Sequence, residues 1–79
     1  MVVNVLYFGM LAEATGLPLE SWEVPPAASV RKLREQILDK YPALRDRKFK
    51  IAVNQQMVEE TLLLPPLAEV ALLPPFAGG

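Results

Sequence analysis

Hydrophobic and polar positions alternate with a period of two near both ends of this 79-residue chain and take a helical period once in between. From Met1 to Phe8, Val3, Val5 and Tyr7 fall on one face and Val2, Asn4, Leu6 and Phe8 on the other. β-Branched and aromatic residues dominate, so the segment predicts a strand, apolar on both sides. Gly9 ends it. Met10 to Thr15 predicts a short helical turn closed by Gly16, and Leu17 to Val24 alternates again as a second strand, stopped by Pro25-Pro26. Val30, Leu33, Ile37 and Tyr41 recur at helical spacing, with Leu38 widening the stripe. Ser29 is suited to cap that helix, Lys32 and Glu35 are spaced to pair along it, and Pro42 stops it after about Lys40. Arg47 to Val53 predicts a third strand, with Phe49, Ile51 and Val53 on one face. Asn54 to Gln56 reads as a turn, with Asn54 left-handed, and Met57-Val58 as a short returning strand. Leu62 to Leu67 is an apolar, proline-interrupted connection, and Glu69 to Leu73 the last strand.

Two strands before one helix and three after it predict a two-layer α+β domain. The first pair is antiparallel. The helix returns the chain by a crossover, which lets the final strand lie parallel beside the first. This is the β-grasp, or ubiquitin-like, arrangement: a mixed sheet of four to five strands packed on one main helix. The helix covers Val3, Val5 and Tyr7, and Leu6 and Phe8 are left on the open face. The whole of 1–79 reads as one domain, with 74–79 as a projecting tail.

Composition narrows the chemistry. The chain has no histidine and no cysteine, which removes catalytic triads, thiolate nucleophiles, disulfides and the usual zinc sites. No bound metal or cofactor is expected. The net charge of −1 supplies no broad field for nucleic acid or anionic lipid. No apolar run is long enough to span a membrane and no signal peptide is visible, so a cytoplasmic protein is expected. Apolar residues make up 52% of the chain, which is rich for a domain with so small an interior and leaves apolar surface outside the core, either for a partner or as ordinary exposed surface.

The ending is the most informative segment. Pro74-Pro75 cannot continue a central strand and favours an extended backbone. Phe76, Ala77, Gly78 and Gly79 follow on that stiff base. Glycine lacks a Cβ and fits a narrow tunnel, so the arrangement reads as a carboxylate delivered into another protein's active site. A delivered carboxylate can attack the α-phosphate of ATP to give an acyl-adenylate, which a sulfur or nitrogen nucleophile then captures. This chain has no phosphate-binding loop, so ATP would be gripped by an activating partner.

These residues resemble a known family. Val5-Leu6-Tyr7-Phe8-Gly9 with Leu11-Ala12-Glu13 and Gly16, then Ala52-Val53-Asn54-Gln55 with Val58, and finally Glu69 through Gly79, look like molybdopterin synthase small subunits. Pro65-Pro66-Leu67-Ala68 departs from the acidic, glycine-containing turn usual there, and Phe76 stands where valine is common. The resemblance implies that Gly79 is adenylated by a partner related to ubiquitin-activating enzymes and becomes a thiocarboxylate. The tail would then enter the large subunit of molybdopterin synthase and donate sulfur to cyclic pyranopterin monophosphate, forming the dithiolene that holds molybdenum or tungsten. Two carriers would flank a dimer of large subunits. On this reading Pro75, Phe76, Ala77 and Gly78 line up in the partner's channel, Gly79 carries the reacting carbonyl, and the chain is a co-substrate with no catalytic side chain.

Other readings stay open. A carrier for thiamine or another sulfur pathway, a protein modifier, or a β-grasp interaction domain shares the same outline. Leu6, Phe8 and Phe76 are candidates for the partner interface; for Leu6 and Phe8, cover by a loop or a place in the core is the other reading. Arg45, Arg47, Lys48 and Lys50 form a basic cluster, read plainly as solvated charge on a strand and loop, or boldly as a dock for an acidic partner or RNA. Glu59-Glu60 reads as solvated loop charge, and Trp22 as packed on the helix or the sheet edge.

Overall fold

The computed structural model describes residues 1–75. The chain runs through β1 (Val2–Tyr7), α1 (Met10–Thr15), β2 (Leu19–Glu23), α2 (Val30–Lys40), a 3-10 turn (Pro42–Asp46), β3 (Lys50–Val53), β4 (Gln56–Met57) and β5 (Glu69–Leu73). The five strands form one sheet in the order β2-β1-β5-β3-β4. β1 pairs antiparallel with β2 and parallel with β5. β3 pairs antiparallel with both β5 and β4. This is the β-grasp expected from the order of elements, with the last strand at the centre of the sheet.

Period-two alternation sorts β1 as the sequence implies. Val3, Val5 and Tyr7 are buried, and they join Val70 and Leu72 of β5 and Ile51 and Val53 of β3 against α2. From the helix come Val30, Leu33, Ile37 and Leu38. Ser29 caps α2 by accepting a hydrogen bond at Oγ from the Lys32 N–H (3.1 Å). α2 ends at Lys40, before Tyr41 and Pro42, as proline requires of its neighbour. Gly16 closes α1 at φ 79°, a left-handed position that favours glycine.

Three element boundaries differ from expectation, each for a backbone reason. β3 starts at Lys50 rather than Arg47, because Lys50 lies opposite Leu73 and the next partner would be Pro74, which has no N–H. β2 starts at Leu19 because Pro18 contributes only its carbonyl, to the Tyr7 N–H (2.9 Å). The β3–β4 hairpin turns on two residues, Asn54 at φ 49° and Gln55 at φ 70°, so Gln56 already faces Val53 and β4 begins one residue early. The 3-10 turn is an addition to the predicted elements; it buries Leu44 beneath α2.

Two charge assignments also change. Lys32 and Glu35 form no ion pair among the described residues. Arg31 and Arg34 instead reach out of the helix to Glu60 (3.4 and 3.6 Å), so Glu60 is a clamp between α2 and the loop after β4 rather than free loop charge. Arg45 pairs with Asp39 (2.8 Å), not with its neighbour Asp46. No helix among the described residues is long and apolar enough to cross a membrane.

Candidate functional site

The sheet face turned away from α2 carries the candidate site. Strand register assembles it. Leu19 lies opposite Leu6, Leu6 beside Ala71, Ala71 opposite Ala52, and Ala52 opposite Met57. One apolar row therefore crosses all five strands. Leu19 and Met57 are exposed at its two ends, and Leu6 and Ala71 are half-buried. One step nearer the C-terminus stand Phe8, 44% exposed, and half-buried Leu73. The Phe8 N–H donates to the Leu72 carbonyl (3.3 Å), which carries the parallel pairing one residue past β1.

One step the other way the face is polar. Ser21 Oγ donates to Asn4 Oδ1 (3.1 Å), and the Glu69 N–H donates to Asn54 Oδ1 (2.9 Å). The open face is thus graded, polar at the far end and apolar towards the point where the tail leaves. A contiguous apolar patch with a polar margin is the usual form of a protein-binding surface.

The tail leaves from the centre of that surface. β5 has β1 on one side and β3 on the other, and Pro74 follows its last residue directly. Gly9 holds a positive φ of 57°, and a Cβ there would come within 3.3 Å of Pro74 Cγ. The absence of a side chain at Gly9 lets the α1 start close against the root of the tail. Pro75 is exposed. Phe76, Ala77, Gly78 and Gly79, the other residues expected to act in a partner's channel, lie outside the described residues.

The structure places Leu6 and Phe8 on the uncovered face, and none of the described loops buries Phe8. Leu19, Met57 and Leu73 belong to the same surface, although sequence reasoning did not single them out. The signal for Leu19 was available, since the alternation of β2 puts it on the side opposite Trp22. Met57 needed the two-residue turn, because a shift of one in β4 reverses its facing.

A second cluster sits on the opposite side of the sheet and was not foreseen. Glu20 is the hub. Its carboxylate accepts from Tyr7 Oη (2.8 Å), Trp22 Nε1 (3.0 Å) and Tyr41 Oη (3.0 Å), and forms an ion pair with Lys40 Nζ. Tyr7 and Tyr41 meet edge to face at 6.0 Å. Burial alone would raise the Glu20 carboxyl, but the hydrogen bonds from Lys40, Tyr7 and Tyr41 outweigh it and hold its pKa below the ordinary 4.5. The hydrogen bond to Glu20 raises Lys40. Burial, reinforced by Glu20, pushes the phenols of Tyr7 and Tyr41 up. Every polar group in this cluster is occupied by another, so it ties β1, β2 and the end of α2 together and leaves no free base or nucleophile. Trp22 packs there on the helix side of β2, with Lys40 5.3 Å from its ring centre.

Comparison with known proteins agrees with this geometry. The model of the ThiS family matches residues 5–79. The chain is 42% identical over 80 residues to the molybdopterin synthase sulfur carrier subunit of Mycobacterium tuberculosis, covering 98% of this chain and 96% of that one. Among solved structures, the complex of subunits 1 and 2 of molybdopterin-converting factor from Helicobacter pylori contains a chain with TM-score 0.74 and 26% identity, each covered in full. The small archaeal modifier protein 1 from Methanosarcina acetivorans has TM-score 0.80 and 26% identity, covering 99% of this chain and 96% of that one.

Proposed function

The chain belongs to the ThiS family and, within it, to the molybdopterin synthase sulfur carrier subunits, and from that premise we propose how its C-terminus works. The carboxylate of Gly79 attacks the α-phosphate of ATP bound by an adenylating partner related to ubiquitin-activating enzymes. Pyrophosphate leaves, and an acyl-adenylate remains. A sulfide-level nucleophile then displaces AMP, exchanging one carboxylate oxygen for sulfur. The thiocarboxylate enters the large subunit of molybdopterin synthase and passes its sulfur to cyclic pyranopterin monophosphate. Water restores the carboxylate, and the carrier returns for another round.

The observation that carries this reading is the exit of the chain from the central strand, at the apolar end of the open face. Docking that face brings Pro74-Pro75 against the partner, with the tail that follows them within reach of a channel there. Phe76, Ala77 and Gly78 then occupy the channel, and Leu6 and Phe8 hold the surface around its mouth. The chain contributes position and a reacting carbonyl, while ATP, the sulfur source and all acid–base groups come from the partners.

The test is intact-protein mass measurement after incubation with ATP, a sulfur donor and the adenylating partner. A mass gain equal to sulfur replacing oxygen, mapped to Gly79, is expected. A chain lacking Gly79 should fold unchanged and support no sulfur transfer in a reconstituted synthase; full activity from it would overturn the mechanism. The likeness to a small archaeal modifier favours a second use of the same ending, isopeptide bonding to lysines of other proteins. Lysine conjugates of this chain in cell extract would establish that use.

A further inference from the structure

Beside the root of the tail is a cavity of about 230 Å³ that the sheet-face reading leaves unused. Buried Leu11 forms its base, and Met10, Pro74 and Pro75 line it, with Met10 54% exposed. Arg47 and Lys48 also line it, as does Asp46. Among the described residues Asp46 pairs with neither of them, and no ion pair forms at Arg47 or Lys48. The volume is below the roughly 300 Å³ at which pockets for small-molecule ligands begin. It suits one apolar side chain of a protein, the kind of insertion that anchors an interface.

We propose that this cavity receives an apolar side chain flanked by carboxylates from the large synthase subunit, and so fixes the direction in which the tail leaves the domain. The proposal rests on the carrier reading above and adds to it a second point of attachment. Three observations support it. The cavity is continuous with the apolar face, since Pro74 follows Leu73 directly and Lys50 stands opposite Leu73 at the margin. Its cations, with Lys50, bring net positive charge to one end of a domain whose total is −1, which calls for an acidic partner. Two of its walls are the tail prolines themselves, so a side chain lodged between Met10 and Pro75 grips the base from which the tail extends.

The apolar row runs along one line across the strands, and an anchor displaced from that line, beside Pro74 and Pro75, would further restrict how the tail is aimed. The contact shares only Pro75 with the residues expected in the channel; Met10, Leu11, Arg47 and Lys48 belong to the cavity alone.

The experiment compares the full chain with the double variant Arg47→Glu/Lys48→Glu and the single variant Met10→Asp, all on exposed positions, with folding checked by thermal melting. Affinity for the purified large subunit, and separately for the adenylating partner, is measured by calorimetry across a series of salt concentrations. The double variant is expected to lose affinity by about tenfold at low salt and to show a flatter salt dependence. Met10→Asp is expected to lose the most at low salt, where its new charge meets the partner's carboxylates, and to keep a several-fold loss at high salt from the missing apolar contact. Binding unchanged in both variants overturns the proposal. So does a loss seen only with the adenylating partner, which would make that protein the occupant. Sulfur loading of Gly79 is read separately by mass. An unloaded wild-type chain would count against the carrier reading, whereas loaded chains with unaltered binding would remove the anchor alone.

Discussion

The two faces of β1 are made of the same kinds of residue and have opposite fates. Val3, Val5 and Tyr7 vanish under α2, while Leu6 and Phe8, equally apolar, stay at the surface. Propensity does not distinguish them, since both sets favour a strand. The difference lies in supply. Among the described residues one long helix covers one face, and the short helix α1 sits at the end of β1 and buries Leu11 there. Apolar side chains beyond what the helix can cover are therefore left at the surface, where the proposed docking would bury them against a partner.

Substitution on each face should break that symmetry most clearly. Leu33 is fully buried between α2 and the sheet. Leu33→Ala should destabilise the domain by about 2–5 kcal/mol, read as a lowered midpoint in urea. Phe8→Ala should leave the urea midpoint nearly unchanged and weaken binding to the large subunit by about tenfold, equivalent to about 1.4 kcal/mol. A Phe8 variant that melts early but binds normally would place that side chain with the core instead.

The smallest effect is expected at Glu20, where the covered face uses polar groups. Glu20→Gln should cost about 1 kcal/mol, since the amide oxygen still accepts but the charge is gone. The pH profile is more telling. A carboxyl held below its ordinary value contributes stability above about pH 4.5 and loses it as acid protonates the folded form. Lys40 and the phenols of Tyr7 and Tyr41 are raised, so their contribution is complete below about pH 10 and is lost as pH climbs through their folded values. Wild-type melting temperature should fall at both extremes, and the Gln variant should lose most of the acid-side fall. An acid limb of undiminished size in the variant would assign it to other carboxylates.

The covered face was also the more legible in sequence. Period-two alternation in β1, the helical stripe from Val30 to Leu38, the Ser29 cap and the Gly16 stop all state local preferences that tertiary packing leaves intact. The Glu20 cluster was not legible, because Tyr7, Glu20, Trp22, Lys40 and Tyr41 are drawn from three elements, and nothing in the spacing says that their polar ends converge. On the open face, Leu6 and Phe8 could be read from one strand. The row linking Leu19 to Met57 depends on register across five strands and on the left-handed Gln55. The chemistry proposed for the tail was inferred from its residue types alone, whereas the cavity beside it arises only where α1, the 3-10 turn and Pro74 meet.

The central place of β5 has a consequence for how the molecule is made. β1 and β3 form no ladder with each other; each is joined to the sheet only through residues 69–73. Until those residues have been synthesised and released, the earlier chain consists of two hairpins without a common sheet, and such isolated pairs are marginal in water. Folding of this domain therefore waits on β5, which follows the other four strands in chain order. A chain cut short before β5 is left with exposed apolar strands for proteases and chaperones to recognise. Completion of the fold thus acts as an inspection step: a molecule able to dock on a partner is one whose synthesis has reached the strand that bears the tail.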